Sequence, residues 1–373
     1  MWMNPFHYGQ IVRKADFCRR PELDRRLADN IKRGQNVYIQ GERRTGKTSL
    51  ICETIRKLKK HRMIYVDLLE VKSSDDFLKR IVTAIIEMEH TAGFMERIFQ
   101  KLSHIRPVAS VDPITGLPTF LLDSSVELKP DSIPGVVDLI SSYHSKAKPI
   151  VVVLDEFEDI LNLREAPQTL ALLRSKVQFQ TGIPYVFAGS VRNEMDRIFN
   201  DPDSAFFKSA VPVHVGPIDK DTFQKFIINK LGTGKRHVTA DSLNTVFAIC
   251  FDIPGDIQQL CSALWDTTSH GDSISEERIP RALEQIFAHE LKGYETTLKI
   301  VSKQQLKLLT AVARHGGKAP MSSEFLKNSG ITQASSVQRA LSRLLELRIV
   351  FHHENEYRFV NPFFRAWLLH KKL

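Results

Sequence analysis

The sequence predicts an α/β fold with a parallel sheet, followed by a helical domain and a C-terminal winged helix-turn-helix. Three stretches carry this prediction. A glycine-rich loop at residues 41–48 lies between a strand-like run and an amphipathic segment. An apolar run at 150–154 ends in two carboxylates, as a buried parallel strand does beside a ligand site. Residues 299–373 have the periodicity of three helices and then the alternation of a hairpin.

The glycine-rich loop matches the P-loop pattern G-x-x-x-x-G-K-[ST] at every fixed position. Apolar and β-branched residues at 36–40 predict a strand before it, and apolar residues spaced through 49–58 predict a helix after it. Gly41 and Gly46 allow a tight turn whose N–H groups point inward, and the helix N-terminus adds partial positive charge. The stretch therefore predicts a nucleoside triphosphate site. A basic loop before a surface helix is the alternative.

The loop supplies the residues that are expected to bind the nucleotide. Lys47 is expected to reach the β- and γ-phosphates of ATP, and the Thr48 hydroxyl is expected to hold Mg²⁺. The full set of candidates is Gly41, Glu42, Arg43, Arg44, Thr45, Gly46, Lys47, Thr48 and Ser49. Residues just before such a strand can fold over the base, so Ile11, Val12 and Arg20 are candidates for adenine contacts. Core packing is the alternative role of the two apolar residues.

The second chemical element is the pair of carboxylates after residues 150–154. Five consecutive apolar residues predict a central strand buried on both faces, and open α/β sheets bind ligands at the carboxyl ends of such strands. This is a Walker B pattern. Asp155 is expected to bind Mg²⁺, directly or through water, and Glu156 to act as the general base on the attacking water. A surface pair of acids is the alternative, but two acids here favour ATP hydrolysis over binding alone.

Ser190 is the candidate that senses the γ-phosphate. It follows the apolar run at 185–189, which predicts a further strand, and Asn193 is the neighbouring alternative. Other strands are predicted at 63–68 and 211–217, and a helix at about 73–103. Apolar stretches on both sides of a turn at 112–116 predict a hairpin inserted at about 106–122.

Composition and charge limit the class of protein. No apolar run approaches about 18 residues, so no transmembrane helix is expected. The first residues lack the pattern of a secretory signal, and the four cysteines show no C-x-x-C spacing, which together predict reduced thiols in a cytoplasmic protein. Of the net charge of +9, residues 301–373 contribute +8, from 12 Lys and Arg against 4 Asp and Glu. This local excess favours a polyanion surface, with a solvated basic face as the alternative.

The C-terminal region has the element order of a winged helix. A capping-box sequence at 302–305 starts a helix that ends near 316, and further helices are predicted at about 322–328 and 333–347, before a hairpin at 349–360. The third helix exposes side chains suited to base edges and phosphates. These are Gln333, Ser336, Arg339 and Arg343. Winged helices also dock proteins, but the basic charge favours DNA. The predicted domains are 1–218 with the hairpin, a helical domain at 219–298, and 299–373.

These motifs resemble the archaeal-type ATPases, within the AAA+/STAND group of P-loop NTPases related to the origin-recognition initiators. The resemblance covers nearly the whole chain and is carried by residues 4–9, 16–23, 41–50, 154–159, 188–190 and 360–368. Arg43 and Arg44 inside the P-loop are typical of this group. The resemblance implies a five-stranded parallel core, Ser190 as sensor 1, residues 219–298 as the lid, and Pro254 as a lid residue that contacts the nucleotide.

The lid departs from the relatives in two places. Initiator-type lids carry an arginine in G-D-x-R, whereas Gln258 stands at that position here, and STAND-type lids carry G-x-P, whereas residues 252–254 are Asp-Ile-Pro. Lys208 lies near where relatives place an arginine that acts on a neighbouring subunit's nucleotide, and a lysine lacks the bidentate fork of arginine.

Two functions stay open from the sequence. In the first, ATP binding and hydrolysis switch the attachment of the winged helix to DNA. In the second, a signalling or scaffold ATPase gates a protein partner that docks on the winged helix. Nucleotide-dependent self-association fits either function, and neither needs a membrane. A metabolic kinase is disfavoured because the sequence shows no pocket for a second substrate.

Overall fold

The computed structural model describes residues 3–88, 107–111, 118–122, 128–190, 192–353 and 355–371, with 107–111, 118–122 and 192–193 described by their backbone alone. In these ranges the strands are β1 (Val37–Gln40), β2 (Arg62–Asp67), β3 (Pro107–Val111), β4 (Pro118–Leu122), β5 (Ile150–Asp155), β6 (Tyr185–Gly189), β7 (Val211–His214), β8 (His237–Val238), β9 (Ser273–Ile274), β10 (Val350–His353) and β11 (Glu356–Phe359). The α-helices are Pro21–Lys32, Lys47–Lys57, Ser74–Met88, Ile133–Tyr143, Ala166–Val177, Arg192–Phe199, Lys220–Gly232, Ala240–Ile249, Pro254–Thr267, Ile279–Ile300, Lys303–His315, Ser323–Ser329, Ala334–Glu346 and Pro362–His370.

Five strands form a parallel sheet in the order β2-β5-β6-β1-β7. Every residue of β5 is buried, as its continuous apolar run predicts. Its side chains alternate between the two faces, because successive residues of a strand point to opposite sides. Val151 and Val153 pack with helices Pro21–Lys32 and Lys47–Lys57, while Val152 and Leu154 pack with helices from Ser74–Met88 to Ala166–Val177. The predicted parallel α/β core is confirmed.

Some predicted elements are described only in part. The helix predicted at 73–103 is present as Ser74–Met88, and the rest of it lies outside the described residues. β3 and β4 pair antiparallel in register from Pro107 opposite Leu122, and the turn predicted at 112–116 also lies outside the described residues.

The chain divides into two compact units, Ile11–Gly216 and Met1–Gln10 with Pro217–Leu373. The first residues therefore belong with the C-terminal unit, whereas the division made from the sequence put them with the core. The side-chain amide of Asn4 explains this, since it donates to Ser262 Oγ and Asp266 Oδ1, each at 2.9 Å. The boundary predicted at 298–299 within this unit stays a prediction.

The C-terminal unit ends in three helices, the β10–β11 hairpin and a final helix, which confirms the predicted winged helix. Both bonds of the predicted capping box are present: Ser302 N–H donates to Gln305 Oε1 at 2.8 Å and Gln305 N–H donates to Ser302 Oγ at 3.2 Å. The final helix packs on helix Ile279–Ile300, where the ring of Tyr294 lies 5.2 Å from that of Trp367. Of the helices in the described ranges, none has the length and apolar content needed to cross a bilayer.

Candidate nucleotide site

The loop between β1 and helix Lys47–Lys57 needs both of its glycines, for different reasons. A Cβ added to Gly41 would lie 2.3 Å from the carbonyl oxygen of Val215, so a side chain there has no room. Gly46 precedes the helix with φ of +88°, in the left-handed region that glycine adopts without steric cost. The fixed glycines of the pattern thus reflect one close approach and one backbone conformation.

Lys47 is held against the loop that precedes it. Its side chain is buried, and the ammonium donates to the carbonyl oxygens of Gly41 at 2.9 Å and Glu42 at 3.1 Å. Burial lowers the pKa of this ammonium, and the nearby carboxylates of Glu156 and Asp155 oppose that shift. The loop's own carbonyls therefore orient the charged group that the motif requires.

Thr48 and Asp155 meet directly at the end of the sheet. Thr48 Oγ1 donates to Asp155 Oδ2 at 2.6 Å, and the hydroxyl of Tyr65 donates to the same oxygen at 2.8 Å. Burial and the charge of Asp155 raise the pKa of Tyr65, so it stays a proton donor. Hydroxyl and carboxylate oxygens are ligands that Mg²⁺ accepts, so this pair fits the metal that the P-loop implies. Tyr65 was not predicted from the sequence, because its position follows from the pairing of β2 with β5.

Glu156 has an unusual backbone and a perturbed carboxyl group. It follows β5 with φ of 50°, in the left-handed region that non-glycine residues seldom adopt. Burial and the neighbouring charge of Glu158 raise the pKa of Glu156 to about 7, with Lys47 and Ser190 acting in the opposite direction. A carboxyl group that titrates near neutral pH suits a general base.

Ser190 lies opposite these carboxylates, at the end of β6. Its hydroxyl is 2.9 Å from Glu156 Oε2 and 3.0 Å from Glu158 Oε1, and its N–H donates to Glu158 Oε1 at 2.6 Å. The sequence analysis gave Glu158 no role, although it stands three residues after Asp155. The side chain of Asn193, the alternative to Ser190, lies outside the described residues.

Two protein-family models match the chain, one in its N-terminal part and one near its C-terminus. The model of an AAA domain matches residues 30–195, and that of a probable winged helix domain matches residues 292–370. The chain joins an AAA domain to a winged helix domain. A comparison with curated protein sequences finds no match.

Solved structures share this architecture over most of their length. The Walker-type ATPase PABY2304 of Pyrococcus abyssi is 18% identical, with 98% of this chain and 99% of that chain covered and a TM-score of 0.66. The ORC1 protein of Aeropyrum pernix in complex with DNA is 14% identical, with 94% and 92% covered and a TM-score of 0.52. The ORC2 protein of A. pernix, in ADPNP–ADP complexes, is 14% identical, with 94% and 93% covered and a TM-score of 0.51. These similarities confirm the fold that the resemblance implied.

Ile11 and Val12, two candidates upstream of the P-loop, differ in their exposure. Ile11 is 41% exposed, and Val12 is partly buried against the core. The N–H of Val12 donates to Ser49 Oγ at 3.1 Å, which attaches this segment to helix Lys47–Lys57. Their contact with a base stays a prediction.

Arg20, the third upstream candidate, braces the P-loop instead of facing outward. Arg20 is 8% exposed, and its guanidinium donates to the carbonyl oxygens of Thr45 and of Gly216, the latter at 2.6 Å. Burial lowers the pKa of Arg20 to about 10. These donors are used inside the unit Ile11–Gly216, and a contact with adenine stays a prediction.

The remaining candidates lie on the P-loop itself, between β6 and β7, or in the C-terminal unit. Arg43 and Arg44 are exposed on the loop, and Lys208 is exposed with its ammonium 5.1 Å from the centre of the Phe207 ring. Pro254 and Gln258 belong to the C-terminal unit, where Pro254 begins helix Pro254–Thr267. The roles predicted for them stay predictions.

The four residues predicted to contact DNA lie on helix Ala334–Glu346 and its N-cap. Gln333, Arg339 and Arg343 are exposed and Ser336 is half-buried, while the opposite side of the helix buries Val337, Ala340, Leu341 and Leu344. Arg343 donates to Glu346 Oε2 at 2.8 Å, so part of the basic surface is neutralised.

Proposed function

We propose that the protein binds and hydrolyses ATP with Mg²⁺, as a slow switch. The observation that carries this is the convergence of four strand-end and loop residues, with Thr48 Oγ1 at 2.6 Å from Asp155 Oδ2 and Ser190 Oγ at 2.9 Å from Glu156 Oε2. The P-loop N–H groups and Lys47 bind the phosphates, and Thr48 and Asp155 are the residues that would hold Mg²⁺. When bound, Mg²⁺ supplies positive charge that offsets the charge of the phosphates.

The hydrolytic step is assigned to this chain's own side chains. Glu156 accepts a proton from the attacking water, and the Ser190 hydroxyl donates a hydrogen bond towards the reacting phosphoryl group or Glu156. Tyr65 keeps Asp155 oriented through the bond of 2.8 Å. The backbone of Glu156 holds the base at a fixed place at the end of β5.

Two substitutions separate binding from hydrolysis. Lys47→Ala removes the buried ammonium and is expected to abolish or greatly weaken ATP binding. Glu156→Gln keeps the shape but not the base, so it is expected to retain ATP and lose hydrolysis by a factor of roughly a hundred or more. Nucleotide titration and phosphate release measure the two effects. Normal turnover by Glu156→Gln contradicts the assignment of the base.

We further propose that nucleotide state controls binding of the winged helix to duplex DNA. Support comes from the charge of +8 in residues 301–373 and the exposed basic residues of helix Ala334–Glu346. The related fold of A. pernix ORC1, a protein in complex with DNA, adds to this. Residues from Pro217 to Leu373 belong to one compact unit. We infer that a movement of its helical part carries the winged helix with it.

A charge reversal on the third helix tests DNA binding. Arg339→Glu is expected to weaken duplex binding by about tenfold and to reduce the slope of log affinity against log salt by about one or more. Arg281→Glu is the matched control, since Arg281 is an exposed arginine on helix Ile279–Ile300. Binding that does not depend on salt and tolerates Arg339→Glu contradicts the DNA proposal.

A second candidate is a scaffold ATPase whose winged helix docks a protein. Pairing of basic side chains favours it: Arg343 is 2.8 Å from Glu346, and Arg358 is 3.0 Å from Glu356. A partner recovered with the wild type and lost with Lys47→Ala supports this candidate. Recovery unaffected by Lys47→Ala opposes nucleotide control of the docking.

A further inference from the structure

We propose that Glu158 is a positioning residue for hydrolysis, whose carboxylate fixes Ser190 opposite the general base Glu156. The inference rests on the proposed ATPase activity and adds a residue to it. Glu158 lies three positions beyond Asp155, and its carboxylate contacts Ser190.

The contacts between Glu158 and Ser190 are short and buried. Glu158 is 1% exposed. Its Oε1 atom accepts the N–H of Ser190 at 2.6 Å and lies 3.0 Å from the Ser190 hydroxyl. Hydrogen bonds to an ionised acceptor are shorter and stronger than neutral ones, and low dielectric strengthens them further. One carboxylate oxygen therefore holds both the backbone and the side chain of Ser190.

The fold directs Glu158 to this place. Phe157 lies between Glu156 and Glu158 and is fully buried, with its ring centre 4.7 Å from that of Phe187 and 5.8 Å from that of Phe206. This anchor and the left-handed turn at Glu156 bring residue 158 back towards β6. A Cβ added to Gly189 would lie 2.4 Å from Glu158 Oε2, so the carboxylate passes over a residue that has no side chain.

Ser190 has hydrogen-bond acceptors on two carboxylates, those of Glu156 and Glu158. A serine hydroxyl has one proton, so it donates either to Glu156 Oε2 at 2.9 Å or to Glu158 Oε1 at 3.0 Å. The N–H of Ser190 has Glu158 as its acceptor in both cases. Glu158 thus holds the Ser190 backbone while the hydroxyl turns, which leaves the proton available to Glu156 or to a phosphoryl oxygen.

Two substitutions at position 158 distinguish the effect of side-chain length from the effect of charge. Glu158→Asp keeps the charge but withdraws the carboxylate by one methylene, whereas Glu158→Gln keeps an oxygen at the original reach without the charge. If positioning is the role, Glu158→Gln hydrolyses ATP within about threefold of wild type and Glu158→Asp loses roughly tenfold or more in single-turnover rate. Both variants are expected to bind a fluorescent ATP analogue within about twofold of wild type, because the hydrogen bonds described for Glu158 go to Ser190 and the residues proposed to bind ATP are unchanged.

The adjacent carboxylate supplies the control. Asp159 is also buried, but its Oδ2 accepts the N–H of Glu70 at 2.7 Å. Asp159→Asn should therefore hydrolyse ATP at the wild-type rate. The inference is overturned if Glu158→Asp hydrolyses normally, if Glu158→Gln is slower than Glu158→Asp, or if Asp159→Asn loses as much as Glu158→Asp.

The same experiment separates this inference from the proposed function. A wild-type protein that does not hydrolyse ATP, or that does so equally well with Glu156→Gln, contradicts the proposed function itself. Hydrolysis that depends on Glu156 but not on the reach of residue 158 contradicts only the role of Glu158.

Discussion

Glu156 combines a strained backbone with a buried carboxyl group at one residue. A left-handed non-glycine residue costs on the order of 1 kcal/mol or more, and it persists where the surroundings determine it. Here the determinants are Phe157, anchored among the aromatic rings behind the sheet, and the bond from Ser190. The left-handed conformation of Glu156 therefore sets the direction of the general base. It is tolerated because the packing of Phe157 fixes the turn.

The raised pKa of Glu156 predicts how activity depends on pH. The base must be ionised, and with a pKa of about 7 its ionised fraction falls tenfold per unit as pH decreases below that value. The value of kcat/KM for ATP, which reports groups of the free enzyme, is therefore expected to decline below about pH 7 and to level above it. Measurement between about pH 5.5 and 9 tests this. A midpoint near 4.5, the ordinary value for this carboxyl, contradicts it.

Residues at strand ends were predictable, and their supporting neighbours were not. Asp155 and Ser190 each follow an apolar run directly and Glu156 is next to Asp155, so the sequence pattern alone indicates them. Tyr65 reaches Asp155 only because β2 pairs with β5, and Glu158 reaches Ser190 only because the chain turns back after Glu156. Such roles depend on strand order and on one backbone angle, neither of which has a sequence signature.

The conformation of the P-loop depends on residues outside the loop as well as on its own glycines. Val215, after β7, lies against Gly41, and Arg20, before helix Pro21–Lys32, bonds to Thr45 and Gly216. Arg20 was a candidate for a contact with adenine because it precedes the P-loop strand in sequence. The fold buries its side chain beside the loop, where it bonds to Thr45 and Gly216, and its contact with adenine stays a prediction.

Removal of the Arg20 brace should weaken nucleotide binding. Arg20→Ala leaves two buried carbonyl groups without their donor, so we expect a loss of about 2–3 kcal/mol in the free energy of unfolding and roughly tenfold lower ATP affinity. Arg25→Ala, an exposed arginine on the same helix, is the matched control. Chemical denaturation and nucleotide titration measure the two effects. Equal ATP affinity in the two variants contradicts the brace.

At the scale of the whole molecule, long-range contacts define the C-terminal unit. Glu290 accepts from Gln259 and Asn361 at 2.7 Å each and from Tyr294 at 2.9 Å, which ties two helices of the helical region to the start of the final helix. Asn4 reaches Ser262 across 258 positions. A sequence pattern indicates one helix or strand at a time. It therefore predicted these elements but not the contacts that place them in one compact unit.

The Glu290 contacts predict a specific loss of stability. Glu290→Ala removes three hydrogen bonds, so the free energy of unfolding of this unit should fall by about 2–3 kcal/mol. Trp265 and Trp367 are buried in the unit, so their fluorescence during denaturation reports on it. Glu295→Ala, an exposed change on the same helix, is expected to have little effect. Similar midpoints for the two variants exclude this role of Glu290.

The coupling of nucleotide to DNA is tested most directly by ATP hydrolysis of wild type and Glu156→Gln, with and without duplex DNA, from about 50 to about 300 mM salt. We expect that DNA stimulates hydrolysis by the wild type, that the stimulation fades as salt rises, and that Glu156→Gln shows no hydrolysis under any condition. Slow hydrolysis that is indifferent to DNA at every salt concentration would contradict this expectation and favour a protein as the partner of the winged helix.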